Sequence, residues 1–182
     1  TKIKLFLKRL IRIILNPLYL IRYIYKEFKL RTGDQKNLEN IQNKIYESLS
    51  LDRKKGLEKI NEIFLNEFGK PYDENYGMSS EHLILFASIS LKNWVCKNIL
   101  EIGTYDGRTA LILSRLFPNS NIITIDLPSN LEDFTETYQR EQHSQFVSNR
   151  HSWLEKSNNI DFKEMNSICL LEEKGEIFDL IW

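Results

Sequence analysis

The sequence has few cysteines, glycines and prolines. Its 182 residues include two cysteines, seven glycines and four prolines. Cys96 and Cys169 are far apart in sequence and match no metal or redox spacing. No cleavable secretory signal is present, which favours a reducing, cytoplasmic location. We expect both thiols to pack as small apolar side chains.

The chain also lacks the composition of a disordered or fibrous protein. Hydrophobic residues make up 42% of the chain, which is enough for one substantial core. We therefore expect one catalytic or binding domain with an extension. The predicted parts are a basic amphipathic helical arm (1–33), a helical segment with its linker (34–77) and an α/β domain (78–182).

The formal net charge of zero conceals an uneven distribution of charge. Residues 1–31 contain nine Lys or Arg and one acidic residue, Glu27, a local net charge of +8, so the other 151 residues carry −8. Basic residues recur four apart beside a broad apolar face, as in amphipathic helices. The uncharged stretch between Arg12 and Arg22 is too short for a transmembrane span.

The basic arm has two candidate partners that the sequence leaves open. An anionic membrane surface, such as the inner face of a membrane, suits a basic amphipathic segment. The same apolar face could equally pack on the chain's own domain or on a second subunit in a homo-oligomer. Nucleic acid is not an expected partner, because the aromatic residues of the arm lie within apolar runs and not in a base-stacking pattern.

Apolar residues recur at helical spacing from Gln35 to about Phe68. One stripe consists of Leu38, Ile41, Ile45 and Leu49, and a second consists of Leu57, Ile60, Phe64 and Phe68. We expect both stripes to be core. Residues 69–77, "GKPYDENYG", are typical of a linker, and the following helix begins at Ser79 or Ser80.

Beyond this helix the pattern alternates between strands and helices. The predicted order is strand 98–102, helix 108–116, strand 121–126, helix about 131–156, strand 160–164 and a strand beginning at Ile177. Strands separated by helices favour parallel pairing in a sheet covered on both faces. The predicted class is therefore α/β, with a doubly wound and mainly parallel sheet.

A loop with two glycines, Gly103 and Gly107, follows the first predicted strand and precedes a helix. In doubly wound sheets, ligands bind at the carboxyl ends of strands, and glycine lets the backbone approach a ligand closely. The loop lacks the GxxxxGK[ST] pattern of a phosphate cradle. It also lacks GxGxxG, because position 105 is Tyr.

Two acidic residues narrow the class of ligand. Glu101 lies inside the first strand, where a carboxylate is costly to bury unless it meets a cation or hydrogen-bond donors. Asp126 ends the second strand, where a carboxylate can accept hydrogen bonds from the two hydroxyls of a ribose. A ligand with a ribose and a cationic portion, but without phosphate, fits both acids. S-adenosylmethionine is such a ligand.

The stretch "ILEIGTYDGRTALILSRLFPNSNIITIDLP" resembles the nucleotide-binding half of class I S-adenosylmethionine-dependent methyltransferases. The resemblance covers roughly residues 78–182 and rests on the E/DxGxxxG motif and on the acid ending the second strand. It implies a Rossmann-like methyltransferase fold. "MSSEH" and "EIGTYDGRTA" are similar to small-molecule O-methyltransferases of the caffeoyl-coenzyme A type, although the metal-binding residues of that group cannot be located here.

The resemblance also implies which residues bind the cofactor. They are Glu101, Gly103, Thr104, Tyr105, Gly107, Thr109, Asp126, Leu127, Asn166 and Ser167. Glu101 would order the methionine end, Asp126 would bind the ribose hydroxyls and Leu127 would pack on the adenine. Thr109 would cap the helix or line the methionine pocket. Asn166 stands where the family often has Asp and could still hydrogen-bond the adenine amino edge.

Two functions of different class follow from these observations. The first is methyl transfer from S-adenosylmethionine to a small-molecule or glycan-precursor acceptor. The second is a non-catalytic module that acts through its N-terminal helices as an interaction or membrane-surface protein. Because "GEIFDLIW" resembles the start of the family's fourth strand, we expect an incomplete domain that is inactive by itself, with catalytic residues beyond Trp182.

Overall fold

The computed structural model describes residues 35–74, 80–92, 94–130, 143–171 and 177–182. The predicted basic arm and residues 131–142 of the predicted long helix therefore lie outside the described residues. The chain forms two compact units, Thr1–Ser50 and Leu51–Trp182.

The described part of the first unit is helix α1 (Gln35–Ser48) and the turn that follows it. Leu38, Ile41, Ile45 and Leu49 recur at helical spacing, yet 48% to 58% of each residue is exposed. The prediction that this stripe is core is therefore wrong. Helical spacing shows which residues share a face, but only tertiary structure decides whether another element covers that face.

The second unit begins with helix α2 (Arg53–Phe68). Asp52 caps its first turn by accepting a 3.0 Å hydrogen bond from the Lys55 backbone N–H. Gly69 ends the helix in the left-handed conformation, at φ 66°, and donates its N–H to the carbonyl of Leu65. Of the predicted stripe in this helix, Ile60 is fully buried and its other members are half-buried.

Helix α2 packs closely on helix α3 (Ser80–Ser90). A Cβ atom added at Gly56 would lie 2.6 Å from the carbonyl oxygen of Ile84, so only glycine permits this approach. Arg53 donates hydrogen bonds of 3.0 and 2.8 Å to the two carboxylate oxygens of Glu81. Helix α2 is part of the unit that contains the sheet.

The sheet has four parallel strands in the order β3-β2-β1-β4. They are β1 (Asn98–Ile102), β2 (Asn121–Asp126), β3 (Ile160–Glu164) and β4 (Leu180–Ile181), with helices α4 (Arg108–Leu116) and α5 (His143–Leu154) between them. The predicted α/β class with a doubly wound, parallel sheet is confirmed, as are the bounds of β1, α4, β2 and β3. Strand β4 is shorter than the predicted strand from Ile177.

The strand order decides where a ligand can approach the sheet. Strand β1 lies between β2 and β4, and the chain moves outward from β1 to β3 before it returns to the other side of β1. Ligands of doubly wound sheets bind at the carboxyl ends of strands where this reversal occurs. The glycine loop follows β1, so it lies at this position.

The two cysteines have different surroundings. Cys96 is buried, as expected, and burial raises the pKa of its thiol. Cys169 lies in a short 3₁₀ helix (Ser167–Leu171) and is exposed, so the expectation that it packs in the core is wrong. A short helix buries only part of its circumference, and Leu170 of this helix packs on the core.

Candidate functional site

The loop between β1 and α4 is held against the end of β2. The backbone N–H groups of Gly103 and Thr104 both donate to the carbonyl of Ile125, at 2.8 and 3.1 Å. Gly103, Tyr105 and Gly107 have φ angles of 97°, 51° and 81°. Three left-handed residues within five positions let the chain turn tightly, and two of them are the predicted glycines.

The two glycines meet different surroundings. A Cβ atom added at Gly107 would lie 3.1 Å from the carbonyl oxygen of Arg150 and 3.2 Å from Leu154 Cδ2, so helix α5 fills that side of the loop. A Cβ atom added at Gly103 would meet no atom of the described residues within 4 Å. The loop therefore borders open space at Gly103, which is where the sequence predicts the cofactor.

Asp126 joins the end of β2 to the glycine loop. Its Oδ2 atom accepts a 2.9 Å hydrogen bond from the Tyr105 backbone N–H, and its Oδ1 atom accepts one of 2.9 Å from Leu127 N–H. Asp126 is buried, while Leu127 is half-buried beside it. An ionised carboxylate offers about four acceptor positions, and two hydrogen bonds of Asp126 come from these backbone N–H groups.

Glu101 is a buried carboxyl group in the middle of the sheet, with 2% of the residue exposed. Thr124 of β2 donates a 2.5 Å hydrogen bond to its Oε2 atom. Burial raises the pKa of Glu101 to about 8, and the charges of Asp106 and Asp126 raise it as well, whereas the hydrogen bond from Thr124 opposes the shift. A carboxyl group in this position favours a cation as its neighbour.

Thr104 lies within the glycine loop, and Thr109 lies just after it. The Thr104 side chain is buried behind the loop, and its hydroxyl lies 2.7 Å from that of Thr124. It therefore supports Thr124 and Glu101 from within the protein. Gly107 is the N-cap of α4, so Thr109 lies in the first turn, half-buried, and does not cap the helix.

Tyr105 connects the loop to helix α5. Its ring is 5.5 Å from the ring of Phe146, measured between centroids, and Phe146 is buried. The Tyr105 residue itself is 41% exposed. The loop therefore presents part of an aromatic ring at its surface while its backbone stays tied to Asp126.

Asn166 and Ser167 follow β3, at the carboxyl ends of the strands. The Met165 backbone N–H donates to the carbonyl of Asp126 at 2.8 Å, which places this segment beside the end of β2. Asn166 Oδ1 accepts a hydrogen bond from Ile168 N–H at 3.0 Å and so caps the short 3₁₀ helix. Both Asn166 and Ser167 are exposed.

Arg150 is a residue at this site that the sequence reasoning missed. It has no exposed surface, and its Nη1 atom lies 3.5 Å from Asp126 Oδ2. Its Nη2 atom donates to Glu164 Oε1 at 3.1 Å. A signal was present, because Phe146, Arg150 and Leu154 recur four residues apart and are the buried residues of α5. An arginine on the apolar face of a helix needs a buried partner.

Comparisons with known proteins give fold neighbours only. No protein-family model and no curated protein matches the chain. Three solved structures match the chain. The first is a Klebsiella pneumoniae protein with a proposed O-methyltransferase activity. The second is the O-methyltransferase TomG from Streptomyces achromogenes, which is involved in tomaymycin synthesis and is in complex with SAM, and the third is an O-methyltransferase from Bacillus cereus in complex with SAH. The chain is similar to these proteins in fold.

The extent of this similarity is partial. In the same order, the sequence identities are 19%, 18% and 19%, and the TM-scores are 0.38, 0.40 and 0.34. The matches cover 78%, 81% and 67% of this chain. The chain spans 58% to 60% of the length of the three structures.

Proposed function

We propose that the chain binds S-adenosylmethionine at the carboxyl ends of β1 and β2, as part of a protein that transfers its methyl group to an acceptor. The supporting observation is one arrangement: Gly103 follows the strand that carries buried Glu101, its N–H donates to the neighbouring strand that ends in Asp126, and a Cβ atom added to it would meet no atom of the described residues within 4 Å. The TomG and B. cereus structures contain SAM and SAH respectively, and the same cofactor is proposed here.

The charge of the site supports a cationic ligand over a phosphate. Asp106 and Asp126 are close enough to Glu101 for their charges to raise its pKa, while Arg108 and Arg150 each lie 3.5 Å from one of these two aspartates. At the start of α4, where anions commonly bind, the Arg108 backbone N–H already donates to Asp106 Oδ1 at 3.1 Å. A phosphate there would meet carboxylates and an occupied N–H group. A sulfonium and an ammonium group would be attracted to the same carboxylates.

The proposed roles are those that the resemblance to methyltransferases implies. Glu101 would attract the ammonium group of the methionine end, and Gly103 would let this end lie against the backbone. Asp126 would accept hydrogen bonds from the ribose hydroxyls. Leu127 would pack on the adenine, whose amino edge would face the Asn166 amide. When bound, S-adenosylmethionine supplies an electrophilic methyl group.

We propose a small-molecule or glycan-precursor acceptor, whose nucleophile the protein needs mainly to align with the methyl group. The basic residues of the segment 1–31 would hold the protein at the inner face of a membrane by attraction to anionic lipids. Within the described residues, no helix has the length and apolar character needed to cross a bilayer.

Calorimetric titration tests the cofactor proposal directly. We expect S-adenosylhomocysteine to bind with one site per chain, and ATP to bind at least about a hundredfold more weakly, because its phosphates would be repelled. ATP is the matched control since it shares the adenine and ribose. Equal affinity for ATP, or no binding of S-adenosylhomocysteine, would contradict the proposal and favour a non-catalytic module that acts through its N-terminal helices.

A further inference from the structure

We propose that Arg150 is a positioning residue, which holds the Asp126 carboxylate in the orientation that shapes the glycine loop and presents this carboxylate to a ligand. The effect on the loop concerns the ligand-free protein. The effect on ribose binding rests on the proposed function. The two parts of the proposal are tested separately.

One oxygen atom of Asp126 serves both the loop and the arginine. Oδ2 accepts the Tyr105 backbone N–H at 2.9 Å and lies 3.5 Å from Arg150 Nη1. Both the carboxylate and the guanidinium are buried, so water screens their attraction weakly. A rotation of this carboxylate would weaken the hydrogen bond that keeps Tyr105 at its positive φ of 51°. Arg150 opposes that rotation.

The guanidinium is itself fixed from its other side. Its Nη2 atom donates to Glu164 Oε1 at 3.1 Å, and this oxygen also accepts the Ser129 backbone N–H at 3.2 Å. Its Cζ atom lies 4.6 Å from the centre of the Phe162 ring. A planar guanidinium can contact two carboxylates and an aromatic face at once, which a lysine ammonium group cannot do equally well.

The backbone of Arg150 contacts the far end of the same loop. The Arg150 carbonyl oxygen would be 3.1 Å from a Cβ atom at Gly107. Helix α5 therefore bears on the loop at two points, on Tyr105 through the Asp126 side chain and on Gly107 through its own backbone. Arg150 is fully buried, and it acts on the shape of the loop through these two points.

Amide hydrogen exchange in the ligand-free protein tests the effect on the loop. We expect the Tyr105 amide to lose at least about tenfold protection in Arg150→Met, and part of this protection to return in Arg150→Lys. Arg115→Met is the matched control, because Arg115 forms an ion pair with Glu67 at 2.6 Å elsewhere in the unit. Core amides of β2 provide the folding reference. Unchanged Tyr105 protection in a folded Arg150→Met variant would overturn the proposal.

A buried carboxylate without its cation can destabilise the fold, so a second variant is needed. Asp126→Asn/Arg150→Met removes both charges together. If Arg150 acts on Tyr105 through Asp126, this double variant should show the Tyr105 protection of Asp126→Asn alone. A further loss of protection at Tyr105 in the double variant would show that Arg150 acts by another route.

A double-mutant cycle on S-adenosylhomocysteine affinity tests the second part. We expect Arg150→Met to weaken binding about tenfold or more in the wild-type background and less than about twofold in the Asp126→Asn background. Equal losses in both backgrounds would contradict action through Asp126. If the wild type does not bind S-adenosylhomocysteine, the proposed function fails, and the exchange experiment still decides the role of Arg150 in the loop.

Discussion

Thr124 donates a 2.5 Å hydrogen bond to the Oε2 atom of Glu101, and both residues are buried on neighbouring strands. The Thr104 hydroxyl lies 2.7 Å from that of Thr124, so a short chain of polar groups runs from the glycine loop to the carboxyl group. Burial raises the pKa of Glu101 to about 8, with Asp106 and Asp126 adding to the effect. We therefore expect the charge of Glu101 to affect both stability and ligand binding.

The stability of the ligand-free protein should fall between pH 5 and pH 8. The folded protein holds the Glu101 proton up to about pH 8, whereas the unfolded chain releases it near 4.5, so this stabilisation is complete below pH 4.5 and is lost as the pH rises through 8. In the wild type, the free energy of unfolding should change by roughly 2 to 5 kcal/mol over this pH range because of Glu101, and Glu101→Gln should remove this change. Denaturant titrations at several pH values measure it. Parallel pH profiles for wild type and Glu101→Gln would contradict the prediction.

Affinity for S-adenosylhomocysteine should rise with pH between 6 and 8. The ligand's ammonium group favours ionised Glu101, so binding releases the proton that Glu101 holds in the ligand-free protein. Calorimetry at pH 7 in buffers of different ionisation enthalpy measures the released protons. Glu101→Gln is the control, and a binding enthalpy that is independent of buffer in the wild type would refute proton release.

Gly103→Ala should reduce cofactor affinity more than stability. Its Cβ atom would meet nothing within 4 Å among the described residues but would enter the space proposed for the ligand. The cost to the fold is the strain of a positive φ, about 1 kcal/mol. Gly69→Ala is a matched control, because Gly69 also has a positive φ and open space at the end of α2. Thermal melts and titrations compare the two variants, and equal affinity losses would exclude Gly103 from the site.

Asp126→Asn should weaken S-adenosylhomocysteine binding roughly tenfold to a hundredfold, since charge-assisted hydrogen bonds to ribose contribute about 1.5 to 3 kcal/mol. Asp126→Ala should also reduce stability, because Arg150 would lose a buried partner 3.5 Å away. Calorimetry and thermal melts separate the two effects. Wild-type affinity in folded Asp126→Asn would exclude Asp126 from ribose binding.

The basic arm should bind anionic vesicles at low salt and lose much of that binding as salt rises, because salt screens exposed charges. A triple substitution, Lys4→Glu with Lys8→Glu and Arg12→Glu, should abolish the salt-sensitive binding to vesicles. Co-sedimentation with phosphatidylserine vesicles measures it, and neutral vesicles are the control. Equal binding to both kinds of vesicle would leave packing on protein as the role of the arm.

The sequence by itself determined the local elements and the position of the loop. Alternating apolar segments predicted β1, α4, β2 and β3, because a strand or helix pattern depends on residues close together in the chain. Parallel strands bring their carboxyl ends to one edge, and Asp126 lies beside the loop as this rule requires. The same local pattern predicted that Gly103 and Gly107 form the loop after β1.

Only the tertiary structure decided how side chains from distant segments meet. The α1 stripe has the spacing of a core face and is exposed, because burial depends on a partner that periodicity cannot reveal. Thr104 lies in the loop, yet its side chain points to Thr124, which is distant in sequence. Asp126 and Glu164 lie opposite each other in the parallel pairing of β2 and β3. Arg150 of helix α5 contacts both carboxylates. The four-residue spacing of Phe146, Arg150 and Leu154 predicts a shared buried face, but it does not reveal which carboxylates Arg150 meets.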